Sequence, residues 1–323
     1  MQKFDTVDSI LSHTEALIPA GGKFINNRYE LPSPIMFELT NPMARFYCAK
    51  ENRDKVAISA AETLYAFSGM NGSDFIWEFR DWEDPRIKKM KDNSGIGDSL
   101  RFFDRKELGL LDYSFSNSLR QKSEKHFFDQ LESAIHTIKY DKEHTNVVLQ
   151  FISYNNSKSI FQAWLYCRSN KLNMMVYAGY LDNNELIFKY VPTFSFLLQI
   201  ISELTSLEMG SVQFNIGCLY SDKNLKGSIP PIIKLNDFRY PLGSLTLRDL
   251  DVLMSIMVEF VSRLDENSLG RANPFEGDER VKMWSDYAEI FRAWKAEKAG
   301  YKIQMEQNFY HPQLRFIYKG EAL

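Results

Sequence analysis

Cysteine is scarce in this chain of 323 residues: Cys48, Cys167 and Cys218 stand far apart, with no Cys-x-x-Cys pair. An odd count at wide spacing argues against a disulfide framework and against a structural zinc site. A reducing cytoplasm is the simplest context. A surplus of positive charge is lacking too. The net charge of −3 leaves no basic face for nonspecific nucleic-acid binding, although a local pocket for one phosphate is allowed. No apolar run reaches about 18 residues, so no transmembrane helix is expected. The opening MQKFDTVDSIL has no basic stretch followed by an apolar run, so no signal peptide is expected.

Other motifs are missing as well. The histidines His13, His126, His136, His144 and His311 have no i, i+3 or i, i+4 pair suited to a metal. No Gly-x-Ser-x-Gly elbow occurs. The patch from Asn93 to Asp98 contains glycines, but it lacks the Lys-Ser/Thr ending of a phosphate loop and reads as a surface loop.

What is present is a good supply of core-forming side chains: 44% of the residues are hydrophobic and 14% are aromatic. Phe4, Val7, Ile10, Leu11 and Leu17 predict a short helix over 4–17, broken at the Pro-Ala-Gly-Gly that follows. Residues 29–49, with three prolines, predict extended structure with bends. VAISAAETLYAF at 56–67 is apolar on most sides and predicts a buried helix ended by Gly69. HFFDQLESAIHTIK at 126–139 predicts an amphipathic helix. VVLQFISY at 147–154, FQAWLYCR at 161–168 and LNMMVYAGYL at 172–181 predict strands, with a turn at Asn170. These strands fit a sheet covered on both faces. TFSFLLQIISELTSL at 193–207 predicts a buried helix closed by Gly210, followed by a strand at 211–220. Two long helices are expected near the C-terminus, at 247–264 with Thr246 and Asp249 as a capping pair, and at 279–298 with Asp278 as N-cap. Trp284, Phe291 and Trp294 on the second read as packing. The irregular alternation of helices and strands favours an α+β fold over a doubly wound sheet.

Several blocks, in order across residues 28–224, resemble the thymidylate synthase and pyrimidine hydroxymethylase superfamily. Asn41-Pro-Met-Ala-Arg45 is similar to the Asn-Pro-x-x-Arg that follows that family's N-terminal phosphate arginine, which Arg28 would supply. Ala61-Glu62-Thr-Leu-Tyr-Ala-Phe-Ser-Gly69-Met-Asn71 resembles the family's Glu-Leu-Leu-Trp-x-Leu-x-Gly-x-x-Asn helix. Asp129-Gln130-Leu131 is similar to the start of its next helix, and Leu207-Glu-Met-Gly-Ser211 to its Leu-Glu-x-Gly turn. The strand ending Gly179-Tyr180-Leu181-Asp182 stands where the family has Arg-Ser-x-Asp.

The resemblance implies a thymidylate synthase-type α+β domain over 1–240 with a C-terminal helical extension over 241–323. It also implies a homodimer through sheet faces, a pyrimidine nucleotide ligand and, if the chain is active, a reduced folate and C5 methyl or hydroxymethyl transfer. The family attacks C6 of the pyrimidine with a thiolate, because an unactivated hydroxyl is a poor nucleophile. Here Ser159 stands at that position. The borrowed Arg-Arg pair becomes Thr145-Asn146, the base-reading Asn becomes Tyr190, and the Tyr-Gly near the one-carbon site becomes Phe115-Ser116. In the ribose motif only Tyr220 remains. Glu62, Asp182 and Arg28 keep their family types. Glu62 is either part of a site or a structural acid that must be paired inside its helix. Asp182 is either a folate contact or a turn former. Cys167 reads as a small buried apolar residue. The two C-terminal helices fit either a cover for the site or a surface for a protein partner.

Overall fold

The computed structural model describes residues 1–25, 28–48, 53–68, 119–122, 127–143, 147–151, 160–221, 235, 238–240, 245–264, 272–301 and 309–320. Several expectations lie outside them: the Gly69 cap, the 93–98 loop, Phe115-Ser116, Thr145-Asn146 and Ser159.

The chain begins with β1 (Gln2–Phe4), α1 (Val7–Gly21), β2 (Lys23–Ile25), β3 (Arg28–Glu30) and β4 (Ile35–Leu39). Thr6 caps α1 by accepting from the Ser9 N–H at 3.1 Å. The helix does not break at its proline. It carries Pro19 in its last turn and ends only at Gly21. Next comes α2 (Arg53–Ser68), close to the predicted span, then the hairpin β5 (Arg120–Lys122) and β6 (Phe127–Asp129).

Helix α3 (Gln130–Tyr140) starts four residues later than its apolar pattern predicts, because Phe127 and Phe128 are spent in β6. Asp129 is its N-cap, accepting from the Glu132 N–H at 3.0 Å.

Strands β7 (Val147–Gln150), β8 (Ile160–Arg168) and β9 (Lys171–Asp182) follow. Ser169 and Asn170 both have positive φ, 52° and 61°, and close the β8–β9 hairpin as a two-residue turn. A short turn at Asn183–Glu185 and a π-helical segment Leu186–Tyr190 lead into α4 (Val191–Thr205). Ser206, at φ 57°, caps α4, not Gly210. Gly210 instead belongs to β10 (Glu208–Ser221), where a Cβ would stand 2.2 Å from Asn173 Oδ1. That close approach lets Asn173 Oδ1 accept from the Ser211 N–H at 3.0 Å, beside a break in strand register.

Near the C-terminus stand α5 (Leu247–Ser262), α6 (Lys282–Lys298) and an unexpected α7 (Pro312–Lys319). The Thr246–Asp249 capping box is present at the start of α5.

The main sheet is open and mixed, ordered β1-β4-β10-β9-β8-β7, with β3 also pairing β10 and β2 pairing β3. β9 and β10 are parallel, joined by the crossover through α4, whereas β10–β4, β9–β8 and β8–β7 are antiparallel. One face carries Phe37, Ala163, Leu165, Met174, Val176, Val212 and Phe214, all buried. Helix α4 lies on it, with the Phe194 and Phe214 rings 6.2 Å apart. Almost every α4 residue is buried, as an all-round apolar helix requires.

Among the described residues, the opposite face is left partly open, against what the strand sequences suggest. Met36 and Trp164 are 49% and 40% exposed there. Their neighbours Met175, Tyr177, Gln213 and Asn215 are half-buried. The covered side changes along the sheet. Even-numbered residues are buried from Leu172 to Ala178 in β9 and from Val212 to Ile216 in β10, whereas Leu181, Leu219 and Ser221 are buried beyond the Gly179–Gly217 row.

The C-terminal helices complete the same core. Trp284, Tyr287 and Phe291 of α6 are buried, and Trp284 meets Phe196 at 6.1 Å between ring centroids. Asp286 accepts from Tyr240 Oη and from the Tyr310 and His311 N–H groups, which fixes the approach to α7. Among the described residues no helix is long and apolar enough to cross a membrane.

Candidate functional site

Three strand ends meet at one pole of the sheet. Tyr220 of β10 pairs with Asp182 of β9 on one side and with Glu30 of β3 on the other. Arg28 stands two residues before Glu30, on the same side of β3. The register therefore brings together three of the residues singled out from the sequence, Arg28, Asp182 and Tyr220, and adds Glu30 and Tyr180.

The cluster has a definite geometry. The Tyr180 and Tyr220 rings stack with centroids 4.3 Å apart. The Arg28 guanidinium lies 4.6 Å from the Tyr220 centroid, a cation–π arrangement. Arg28 Nη1 donates to Tyr180 Oη at 3.2 Å. Tyr180 Oη in turn donates to the Glu30 carboxylate. Burial and then the bond to Glu30 push the Tyr180 phenol above its ordinary value, so it keeps the proton it donates. Positive and negative charge are balanced here, and Tyr180 remains 40% exposed, leaving part of an aromatic surface open to solvent.

Asp182 has a local task. Its Oδ1 accepts from the Asn184 N–H at 2.7 Å and the Glu185 N–H at 3.3 Å, capping the turn that leaves β9. Glu62 of α2 is elsewhere, nearly buried, with its carboxylate 4.0 Å from Lys189 Nζ in the π-helical segment. This meets the requirement that an acid inside such a helix be paired. Tyr190 is 3% exposed and belongs to the core. The Lys189 ammonium lies 5.2 Å from the Tyr190 ring centroid, so Glu62, Lys189 and Tyr190 form a second small group.

Neither Cys48 nor Cys218 resembles an activated nucleophile in its surroundings. Cys48 is buried beside Asp8, and burial drives its thiol far above the usual range. Burial and the charge of Glu30 also raise Cys218. Cys167 is half-buried, less enclosed than its strand position suggests. A depressed thiol needs neighbouring positive charge or a helix N-terminus, and the surroundings of Cys48 and Cys218 supply the reverse. Among the described residues no group of three His, Cys, Asp or Glu is placed to hold a metal ion.

Glu30 escaped the sequence reading, although the Arg-x-Glu spacing within an extended segment signals two side chains on one face. Its partnership with Tyr180 joins residues 150 positions apart, which no local pattern reveals. No protein-family model matches the chain, and no curated protein matches its sequence.

Proposed function

We propose that this chain is a thymidylate synthase-like protein that binds a pyrimidine nucleotide at the C-terminal ends of β9 and β10 and does not perform conventional thymidylate synthesis. The supporting observation is the convergence of Arg28, Tyr180, Tyr220 and Asp182 at that pole. An exposed tyrosine face beside a guanidinium suits a planar base carrying a negative group. Loss of synthase chemistry is supported by Gly179 and Tyr180 at the phosphate-gripping motif and by the raised Cys48 and Cys218 thiols. Because Glu30 already offsets Arg28, stacking contributes more of the affinity than phosphate pairing.

The test is a thermal-shift titration with deoxyuridine and deoxycytidine monophosphates, with a purine nucleotide as control, each with and without a reduced folate. A ligand that binds only the folded state adds about 2.7 kcal/mol of stability at 100 times its dissociation constant. A rise in melting temperature with a pyrimidine nucleotide, lost in Tyr180→Ala, supports the reading. No rise with any pyrimidine nucleotide overturns it. The folate arm addresses the alternative, a divergent C5 one-carbon transferase using Glu62: only that reading expects the folate to deepen the nucleotide response.

A further inference from the structure

A cavity of about 830 Å³ opens at the other pole of the sheet, where β9 and β10 begin. β9 has 12 residues, so the two poles lie roughly 35 Å apart. The volume falls in the range of pockets that enclose drug-sized ligands, about 300–1,000 Å³. The cavity is distinct from the Arg28–Tyr180 cluster and shares no residue with it.

Its deep wall is one stripe of α4. Gln199, Ser202 and Glu203 stand at i, i+3 and i+4 on a helix whose residues are mostly apolar and almost all buried. Core packing does not call for three polar side chains in a row. Gln199 is fixed at both ends of its amide. Its oxygen accepts from Arg45 Nη1 at 2.8 Å, and its nitrogen donates to Glu203 Oε1 at 2.8 Å. The Glu203 carboxyl is thereby oriented, and it forms no ion pair among the described residues. The cations at the rim are occupied elsewhere: Lys171 and Arg239 both approach Glu208, at 3.9 Å and 3.8 Å.

Ser202 supplies the second observation. Its residue is 3% exposed, and its hydroxyl is buried with no hydrogen-bond partner among the described residues. A serine inside a helix ordinarily satisfies itself on the carbonyl four residues back. Thr205 on the same helix does so, donating to Ile201 O at 2.7 Å. Ser202 does not, and an unpaired buried hydroxyl carries a free-energy cost.

The hydrogen-bonding capacity left open on this wall is mostly acceptor capacity. Gln199 has used its amide oxygen and one donor, Glu203 is a carboxyl, and the Ser202 oxygen is unengaged. Burial pushes Glu203 up to about 7, against the opposing effects of Gln199 and Arg45. A desolvated carboxyl gains most from a partner bringing positive charge and several N–H groups. Met43, Leu207 and Phe238 supply apolar and aromatic surface to the enclosure, beside polar lining residues such as Thr40, Asn41 and Asn170.

We propose that this cavity is a binding site for a small organic cation of the amidine or protonated-amine class. Its N–H head is set against Glu203 and Ser202, and its apolar or aromatic body lies against Phe238, Met43 and Leu207.

The experiment is isothermal titration of the full chain with benzamidine, benzamide and benzoate, which share one ring and differ in charge and donors. Benzamidine binds roughly tenfold or more tightly than benzamide, and benzoate does not bind, as a charge-assisted contact worth about 1.4 kcal/mol or more requires. Glu203→Gln removes that preference. Ser202→Ala, which deletes only an unpaired hydroxyl and so preserves the melting temperature, weakens benzamidine by about threefold or more, the scale of a modest hydrogen bond. Tyr180→Ala leaves benzamidine binding unchanged, which keeps this site separate from the nucleotide reading. Equal binding of benzamidine and benzoate, no binding of benzamidine, or unaltered benzamidine binding in both α4 variants overturns the proposal.

Discussion

Arg28 lies over one face of Tyr220, and Tyr180 stacks on that same residue with ring centroids 4.3 Å apart. Tyr180 also stands between Arg28 and Glu30 through its hydroxyl. One side chain therefore has two separable roles: its ring builds the stack, and its oxygen joins a cation to an anion.

Tyr180→Phe and Tyr180→Ala separate those roles. The phenylalanine variant keeps the stack and loses both hydroxyl bonds, so it costs no more than about 1.5 kcal/mol at this partly exposed position. The alanine variant also removes the aromatic surface. Under the proposed function, the pyrimidine-nucleotide thermal shift survives in Tyr180→Phe and disappears in Tyr180→Ala. Equal loss in both variants would assign recognition to the hydroxyl rather than the ring.

Arg120 is a buried tie between distant parts of the chain. Its Nε donates to Asp129 Oδ2 at 2.9 Å, and its Nη1 to Asp251 Oδ1 of α5 at 2.5 Å. Both Arg120 and Asp129 are almost fully enclosed. Arg120→Met strands the Asp129 carboxylate, which also caps α3, and lowers stability by about 3–5 kcal/mol, as breaking a buried pair from one side does. Urea unfolding measures it. The double change Arg120→Met with Asp129→Asn recovers part of the loss if the uncompensated charge is the cause, and recovers nothing if the loss comes only from packing.

The elements that position both poles were legible because their patterns are strong. The alternation in β9 and β10, and the all-round apolar character of α4, survive tertiary packing almost unchanged. Other elements were misread where two structures share one pattern. Phe127 and Phe128 suit the apolar face of a helix, yet pairing with β5 claims them for a strand. Gly210 looks like a helix stop, yet what requires a glycine there is the approach of Asn173 to β10. Helix α7 escaped notice because its eight residues carry too few turns for periodicity to show. Arg28, Asp182 and Tyr220 were singled out through the family resemblance, together with Tyr190, and the strand register brings the first three to one pole. Their link through Tyr180 and Glu30 depends on strand register, as the cavity depends on segments from four parts of the chain. Linear spacing carries neither.

Asp8 supplies a pH-dependent term in stability. The side chain is buried, its Oδ1 accepts from the Cys48 N–H at 2.9 Å, and its Oδ2 has no partner among the described residues. Burial raises its pKa to about 6 from an ordinary 3.8. A carboxyl held more tightly protonated in the folded state stabilises the fold fully below its unfolded pKa. That contribution is lost as pH rises through about 6. Asp8→Asn keeps an oxygen for Cys48 and carries no charge at any pH. The variant therefore gains melting temperature relative to the parent at pH 8 and gains less, or loses, at pH 4. Parallel melting profiles for the two proteins across that range would show that Asp8 does not titrate in the folded state.

The partly open sheet face leads to the last prediction, the homodimer implied by the family resemblance. Trp164 pairs with Met175, and Met175 with Gln213, across β8, β9 and β10. The Trp164 ring lies 5.5 Å from that of Tyr177, and Met36 extends the same face from β4. A run of large apolar side chains on an open face, with Gln213 and Asn215 between them, suits a self-complementary two-fold contact, in which each patch meets its own copy. Light scattering after size exclusion is expected to give twice the chain mass, and Trp164→Glu to give the single-chain mass with the fold retained. The charge then faces water in the monomer but would be buried against its own copy in the dimer, where two carboxylates near the axis repel. A parent protein that runs as a monomer at all concentrations, or a Trp164→Glu variant that remains dimeric, removes this face from consideration as the interface between copies.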